Sequence, residues 1–185
     1  RKRNQHLLRR GIIFALWSGE ELGCLGSSYF VDHPTIPLKH VITYMNFDMV
    51  VRLKENNLIV EGVGSSNTWA RLIEKCNVAE NLSLKLLQEP YQPTDITAFY
   101  PKEIPVIHFF TGVHEDYNRP TDDPETLNYE GMVRIAEFSR SMVLDLVRNA
   151  ERPDYVKVAQ SGERRTEKVS RRTYWGTIPD FTAEN

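Results

Sequence analysis

The residues that could do chemistry in this sequence stand at the ends of short apolar runs. GIIFALW (residues 11–17) is followed at once by Ser18, Gly19, Glu20 and Glu21. HVITYMNF (40–47) ends on Asp48, and PVIHFF (105–110) leads into Thr111-Gly112-Val113-His114-Glu115-Asp116-Tyr117. Oxygen donors, with an imidazole among them, suit a hard or borderline cation. The adjacent pair Glu20 and Glu21 is the most informative, because two carboxylates aimed at one site repel unless a cation neutralises one of them. One could hold a metal while the other takes a proton from metal-bound water, whose pKa falls from ~15.7 towards ~7 on coordination. The same pair could also be a solvated acid doublet at a helix N-terminus, and Asp48 could cap a turn. His108, inside an apolar run, reads as a hydrogen-bonded core residue. His6, His33 and His40 have no motif around them.

The elements that must position these acids follow from hydrophobic patterning. Residues 11–17, 40–47, 57–63, 82–87 and 105–110 are rich in Ile, Val, Phe and Tyr and read as strands, two of them apolar nearly throughout, as in a sheet covered on both faces. Helices are expected around residues 25–32, 68–76 and 96–100. A longer one over 128–148 places Met132, Ile135, Phe138, Met142 and Leu146 at spacings of three or four. Strands alternating with helices predict an α/β fold with a mostly parallel sheet flanked by helices. In such a sheet ligands bind beyond the carboxyl ends of the strands, so three strands would deliver their acids to one edge.

Composition narrows the classes. The chain has 185 residues, a net charge of −2, 41% apolar and 26% charged residues. That is enough apolar content for a core, which excludes wholesale disorder. The charge balance gives no general attraction to nucleic acid or an anionic membrane, and no run approaches the ~20 apolar residues of a membrane span. The basic residues 1–10 and the apolar run after them mimic a signal peptide, but Glu20 and Glu21 follow without a small-residue cleavage pattern. Because the sequence opens on Arg1, it reads as a piece of something longer. Cys24 and Cys76 are too few for a disulfide framework, though one bridge stays open. After Asn149 the apolar content falls. Residues 150–172, with the basic cluster Arg164, Arg165, Lys168, Arg171 and Arg172, read as a linker, and YWGTIPDF (174–181) as the start of another module.

Taken together in order, FALWSGEELGCLGSSYFV, MNFDMV and HFFTGVHEDYNRPTDDPETLNYEG closely resemble the co-catalytic zinc aminopeptidases of metallopeptidase family 28. The resemblance runs from about Gly11 to Arg148 and implies the carboxy-terminal part of an α/β sandwich. That fold holds two bridged zinc ions and removes N-terminal residues from peptides. Matched residue by residue, it implies that Glu20 is the catalytic base, Glu21 a ligand of one zinc and Asp48 a ligand of the other. Asp95 falls in a segment near the substrate pocket. Asp122 matches an acid behind the last ligand, of the kind that orients a metal-bound imidazole.

The sequence also departs from the family. Another zinc-binding His and a bridging Asp belong to a segment upstream of residue 11, and Val51 stands where a glycine is usual. The last ligand is normally the His of DYH-x-P-x-D, where this sequence has Asn118, a neutral amide and a poor zinc ligand. His114 is the possible substitute. Residues 173–185 resemble the opening of the PDZ-like module, a peptide-binding fold, that follows the peptidase in longer bacterial members. The resemblance further implies peptide substrates and an extracytoplasmic location. Two other functions share this fold class: a non-catalytic scaffold, which Asn118 favours, and a glutaminyl-cyclase-type acyltransferase.

Overall fold

A computed structural model describes residues 8–159. Four strands form one sheet, β1 (Tyr44–Phe47), β2 (Asn57–Glu61), β3 (Ser83–Leu86) and β4 (Val106–Phe110), in the order β1-β4-β2-β3. β1 and β4 are parallel, as are β2 and β3, while β2 runs antiparallel to β4. The sheet is therefore mixed and mostly parallel, as the alternation of strands and helices predicts.

Pleating sorts the side chains into two layers. Leu58 and Val60 of β2 and Ile107 and Phe109 of β4 face one side. There they pack against Trp69, Leu72, Ile73 and Cys76 of α2 (Thr68–Glu80) and against Ile135, Phe138, Met142 and Leu146 of α4 (Tyr129–Arg148). Val106 faces the other side, against Val31 of α1 (Leu25–Asp32) and Ile96 and Phe99 of α3 (Ile96–Phe99). Helices thus cover both faces, and all five residues of β4 are buried.

Local chemistry fixes the ends of these elements. Asn128 caps α4, its Oδ1 accepting from Gly131 N at 2.8 Å while its amide donates to Leu53 O at 2.7 Å. α2 runs past Cys76 to Glu80 because Asn81 closes it in the left-handed conformation (φ 48°), which Asn tolerates. Ser65 ties α2 to the sheet: its hydroxyl accepts from Trp69 Nε1 (2.9 Å) and Val106 N (3.0 Å) and donates to Val106 O (2.7 Å). Ser65→Ala should leave these buried groups short of partners and cost about 2–3 kcal/mol, to be read as a lower urea midpoint at unchanged m-value.

Residues 11–17 depart from expectation. They form no strand, and no backbone hydrogen bond pairs them with a neighbour among the described residues. Phe14 and Leu16 are 92% and 100% exposed. An apolar run becomes a strand only when another backbone takes up its N–H and C=O groups. Here a cleft separates it from β1, the edge strand on that side. Trp17 alone reaches across, donating from Nε1 to Tyr44 Oη at 3.0 Å.

The chain does not leave the domain at the end of α4. Asp154 accepts from Ser66 Oγ (2.7 Å) and Asn67 N (3.1 Å) at the start of α2, and Tyr100 Oη donates to Val156 O (2.9 Å). Residues 160–185, including most of the expected linker and the PDZ-like opening, lie outside the described residues. Cys24 and Cys76 are both buried and free, so no bridge joins them. Among the described residues no helix is long and apolar enough to cross a membrane.

Candidate functional site

Glu20 and Glu21 ride on a turn folded back onto the start of α1. Gly23 N and Cys24 N both donate to Glu20 O at 2.8 Å, Leu25 N donates to Gly19 O (3.1 Å) and Gly26 N to Ser18 O (2.9 Å). Gly26 permits this approach, since a Cβ there would lie 2.8 Å from both Ser18 N and Ser18 O. Gly26→Ala should therefore push the acidic turn off α1. The expected result is a loss of about 1–3 kcal/mol of stability and displacement of Glu20, measurable by thermal unfolding and by chemical-shift changes confined to residues 18–27.

The other acids arrive from two further elements. Asp48 follows β1 directly, and its N–H donates to Phe109 O at 3.3 Å. Met49 then turns left-handed (φ 48°), and Thr111 N holds its carbonyl at 3.2 Å. Asp95 precedes α3 and is buried, its Oδ1 accepting from Ser27 Oγ of α1 at 2.6 Å. Cys24 sits between these groups, its Sγ 4.0 Å from Glu20 Oε1 and 3.9 Å from Thr97 Oγ1.

Electrostatics links the acids. Burial raises the pKa of Glu20, and the charges of Glu21, Asp48 and Asp95 raise it further. Asp48 is likewise raised by burial, against a hydrogen bond from the Met49 backbone that lowers it, with Asp95 and Glu21 adding to the rise. Among the described residues no basic side chain enters either balance. Such a set favours a cation. The donors are of the right type for zinc, but among the described residues no group of three or more His, Cys, Asp or Glu is placed to hold a metal ion. A catalytic zinc takes three protein ligands, so these residues alone do not make a zinc site.

One cleft of about 1780 Å³ gathers Glu20, Glu21, Asp48, Asp95 and Asn118. Asn118 is exposed and left-handed (φ 56°) on the loop after β4. His114 is elsewhere, on a smaller cavity of about 320 Å³ with Arg52 and Asp122, which Asn118 also borders. Its Nε2 lies 3.7 Å from Asp122 Oδ2, while Nδ1 is buried with no partner among the described residues. Asp122 is ion-paired to Arg52, which also reaches Asp116 at 3.5 Å.

Sequence reasoning missed a polar row across the cleft wall. Strand register places Asn46, His108 and Glu61 side by side on β1, β4 and β2. His108 is buried and hydrogen-bonded, as expected: Asn46 Nδ2 is 3.0 Å from its Nδ1. Burial lowers the His108 pKa to about 4, so the ring is neutral, and raises that of Glu61 to about 7. The available signal for Glu61 was a lone acid closing the apolar run NLIVE.

Comparison with known proteins gives the family and the fold. The chain is 33% identical over 115 residues to leucine aminopeptidase 2 of Trichophyton equinum, covering 57% of this chain and 23% of that protein. It is 32% identical over 117 residues to a probable leucine aminopeptidase 2 of Aspergillus oryzae, covering 58% and 24%. It thus spans about a quarter of the length of these curated relatives. Among solved structures, a zinc aminopeptidase from Bacillus subtilis superposes with a TM-score of 0.61 at 27% identity, over 78% of this chain and 38% of that one. The LapA aminopeptidase of Legionella pneumophila shares the fold with a TM-score of 0.62 at 18% identity, over 73% and 38%. The model of Peptidase family M28 matches residues 1–143, and the chain belongs to that family.

Proposed function

We propose that this chain is the carboxy-terminal part of the catalytic domain of a zinc-dependent aminopeptidase, hydrolysing the first peptide bond of peptides with a free N-terminus. The observation that carries the reading is the convergence of Glu20, Glu21 and Asp48 on one cleft, where acidic neighbours raise the pKa values of Glu20 and Asp48. Glu20 serves as general base, since burial and neighbouring acids strengthen its hold on a proton. Glu21 and Asp48 are offered as metal ligands, and Asn118 occupies the position of a third. When bound, zinc would polarise the scissile carbonyl and acidify water. Ligands from the rest of the polypeptide would complete the set, because the described residues do not. Asp95, held by Ser27, lines the substrate side of the cleft, and Asp122 steadies the Asn118 loop through Arg52.

Glutaminyl-cyclase-type acyl transfer and a non-catalytic scaffold are the competing readings, and a substrate panel separates all three. Full-length protein supplied with zinc should hydrolyse fluorogenic leucyl and other aminoacyl amides and lose that activity to a chelator. Release of ammonia from an N-terminal glutamine peptide would instead indicate the cyclase. Turnover of neither substrate would indicate the scaffold. In keeping with the family resemblance, the protein is expected to act outside the cytoplasm.

A further inference from the structure

Glu61 is the buried ionisable group for which the proposed hydrolysis has no use. Its side chain is 5% exposed and borders the same cleft as Glu20 and Asp48. Its Oε2 faces His108 Nε2 at 3.6 Å, beyond hydrogen-bonding range. Since Asn46 donates to His108 Nδ1, the neutral ring carries its hydrogen on Nε2, on the side of Glu61. The imidazole therefore brings a dipole to the acid but no positive charge. Burial alone shifts Glu61, with no neighbouring charge among the described residues to offset it, and such a group at a cavity wall is a candidate for a ligand's complementary group.

The register supplies the distance. Asp48 lies two residues beyond Asn46, just past the end of β1, and Glu61 lies two strands across from Asn46. At ~4.8 Å per strand and ~3.3 Å per residue, Asp48 and Glu61 stand about 12 Å apart along the sheet. The side chains of both acids and one extended lysine or arginine can span that interval. Phe110, whose ring lies 6.0 Å from that of His108, borders the same cleft and offers an apolar wall for the methylene stem. Glu20, Asp48 and Asp95 add negative potential throughout the cleft.

We propose that Glu61, oriented beside His108, is a specificity determinant that receives the basic side chain of a substrate's N-terminal lysine or arginine. This rests on the aminopeptidase reading for its substrate class, but binding tests it separately from turnover. L-lysinamide and L-norleucinamide carry the same α-amine and the same stem and differ in the terminal ammonium. Calorimetric titration of full-length, zinc-supplied protein should show lysinamide binding about tenfold or more tighter than norleucinamide. Glu61→Gln, which keeps shape and removes charge, should bring the ratio close to one. In parallel, kcat/KM for lysyl over leucyl amides should fall by about the same factor. Norleucinamide binding as tightly as lysinamide to the unmodified protein overturns the proposal, whether or not the variant folds. An unchanged ratio in a folded Glu61→Gln protein also overturns it. If no amide is hydrolysed but the Glu61-dependent preference for lysinamide is present, the site stands and the hydrolase reading falls.

Discussion

Glu20→Gln should lower kcat of the full-length, zinc-supplied protein by about 10³-fold while leaving zinc content and thermal midpoint close to those of the parent. A positioned general base contributes roughly 10²–10⁴-fold, and glutamine keeps the side chain's shape without accepting a proton. The turn that carries Glu20 is built from backbone hydrogen bonds to Ser18, Gly19 and Glu20 carbonyls, none of which involves its carboxyl. Removing the charge therefore leaves the turn intact and relieves repulsion with Glu21 and Asp48. Stopped-assay kinetics together with metal analysis read the two effects separately. A variant retaining more than a tenth of the parent's kcat would remove Glu20 from the role of base.

The second large effect is a gain. Asn118→His should raise zinc affinity and aminopeptidase turnover together, each on the order of tenfold or more, since even changes to the support of a ligand shift affinity about 10–100-fold. Position 118 borders the cleft that holds Glu20, Glu21 and Asp48. Its left-handed backbone (φ 56°) is one that histidine adopts more readily than most residues, so the substitution carries little strain. His114→Ala should change neither quantity by more than about twofold, because His114 borders the smaller cavity beside Arg52 and Asp122. If His114 is instead the working ligand, its removal abolishes metal binding and Asn118→His is nearly silent. Metal analysis of the two variants decides between these outcomes.

Much of the fold was legible because it rests on local patterning. The run at 105–110 contains β4, buried at every position, and α1 matches its expected span of Leu25–Asp32. The run at 11–17 misled for a physical reason: apolar content specifies burial, whereas a strand also needs a partner's backbone. The tail after Asn149 was read from its low apolar content, yet it docks through a few polar contacts and the ring of Tyr155 against Tyr100. Asp154 at the start of α2 and the Tyr100 hydroxyl leave no periodic trace in sequence. At the site, the acids at strand ends were visible as motifs. Glu61 was not, because its significance comes from register: only pairing β2 with β4 puts it beside His108.

The central claim is that the converging acids serve removal of N-terminal residues. Mass spectrometry of one peptide in free and N-acetylated forms, incubated with the full-length protein and zinc, tests it most directly. A ladder of products shortened from the amino end is expected from the free peptide and no product from the acetylated one. An intact free peptide, internal cleavage of either form, or equal processing of the acetylated peptide would contradict it.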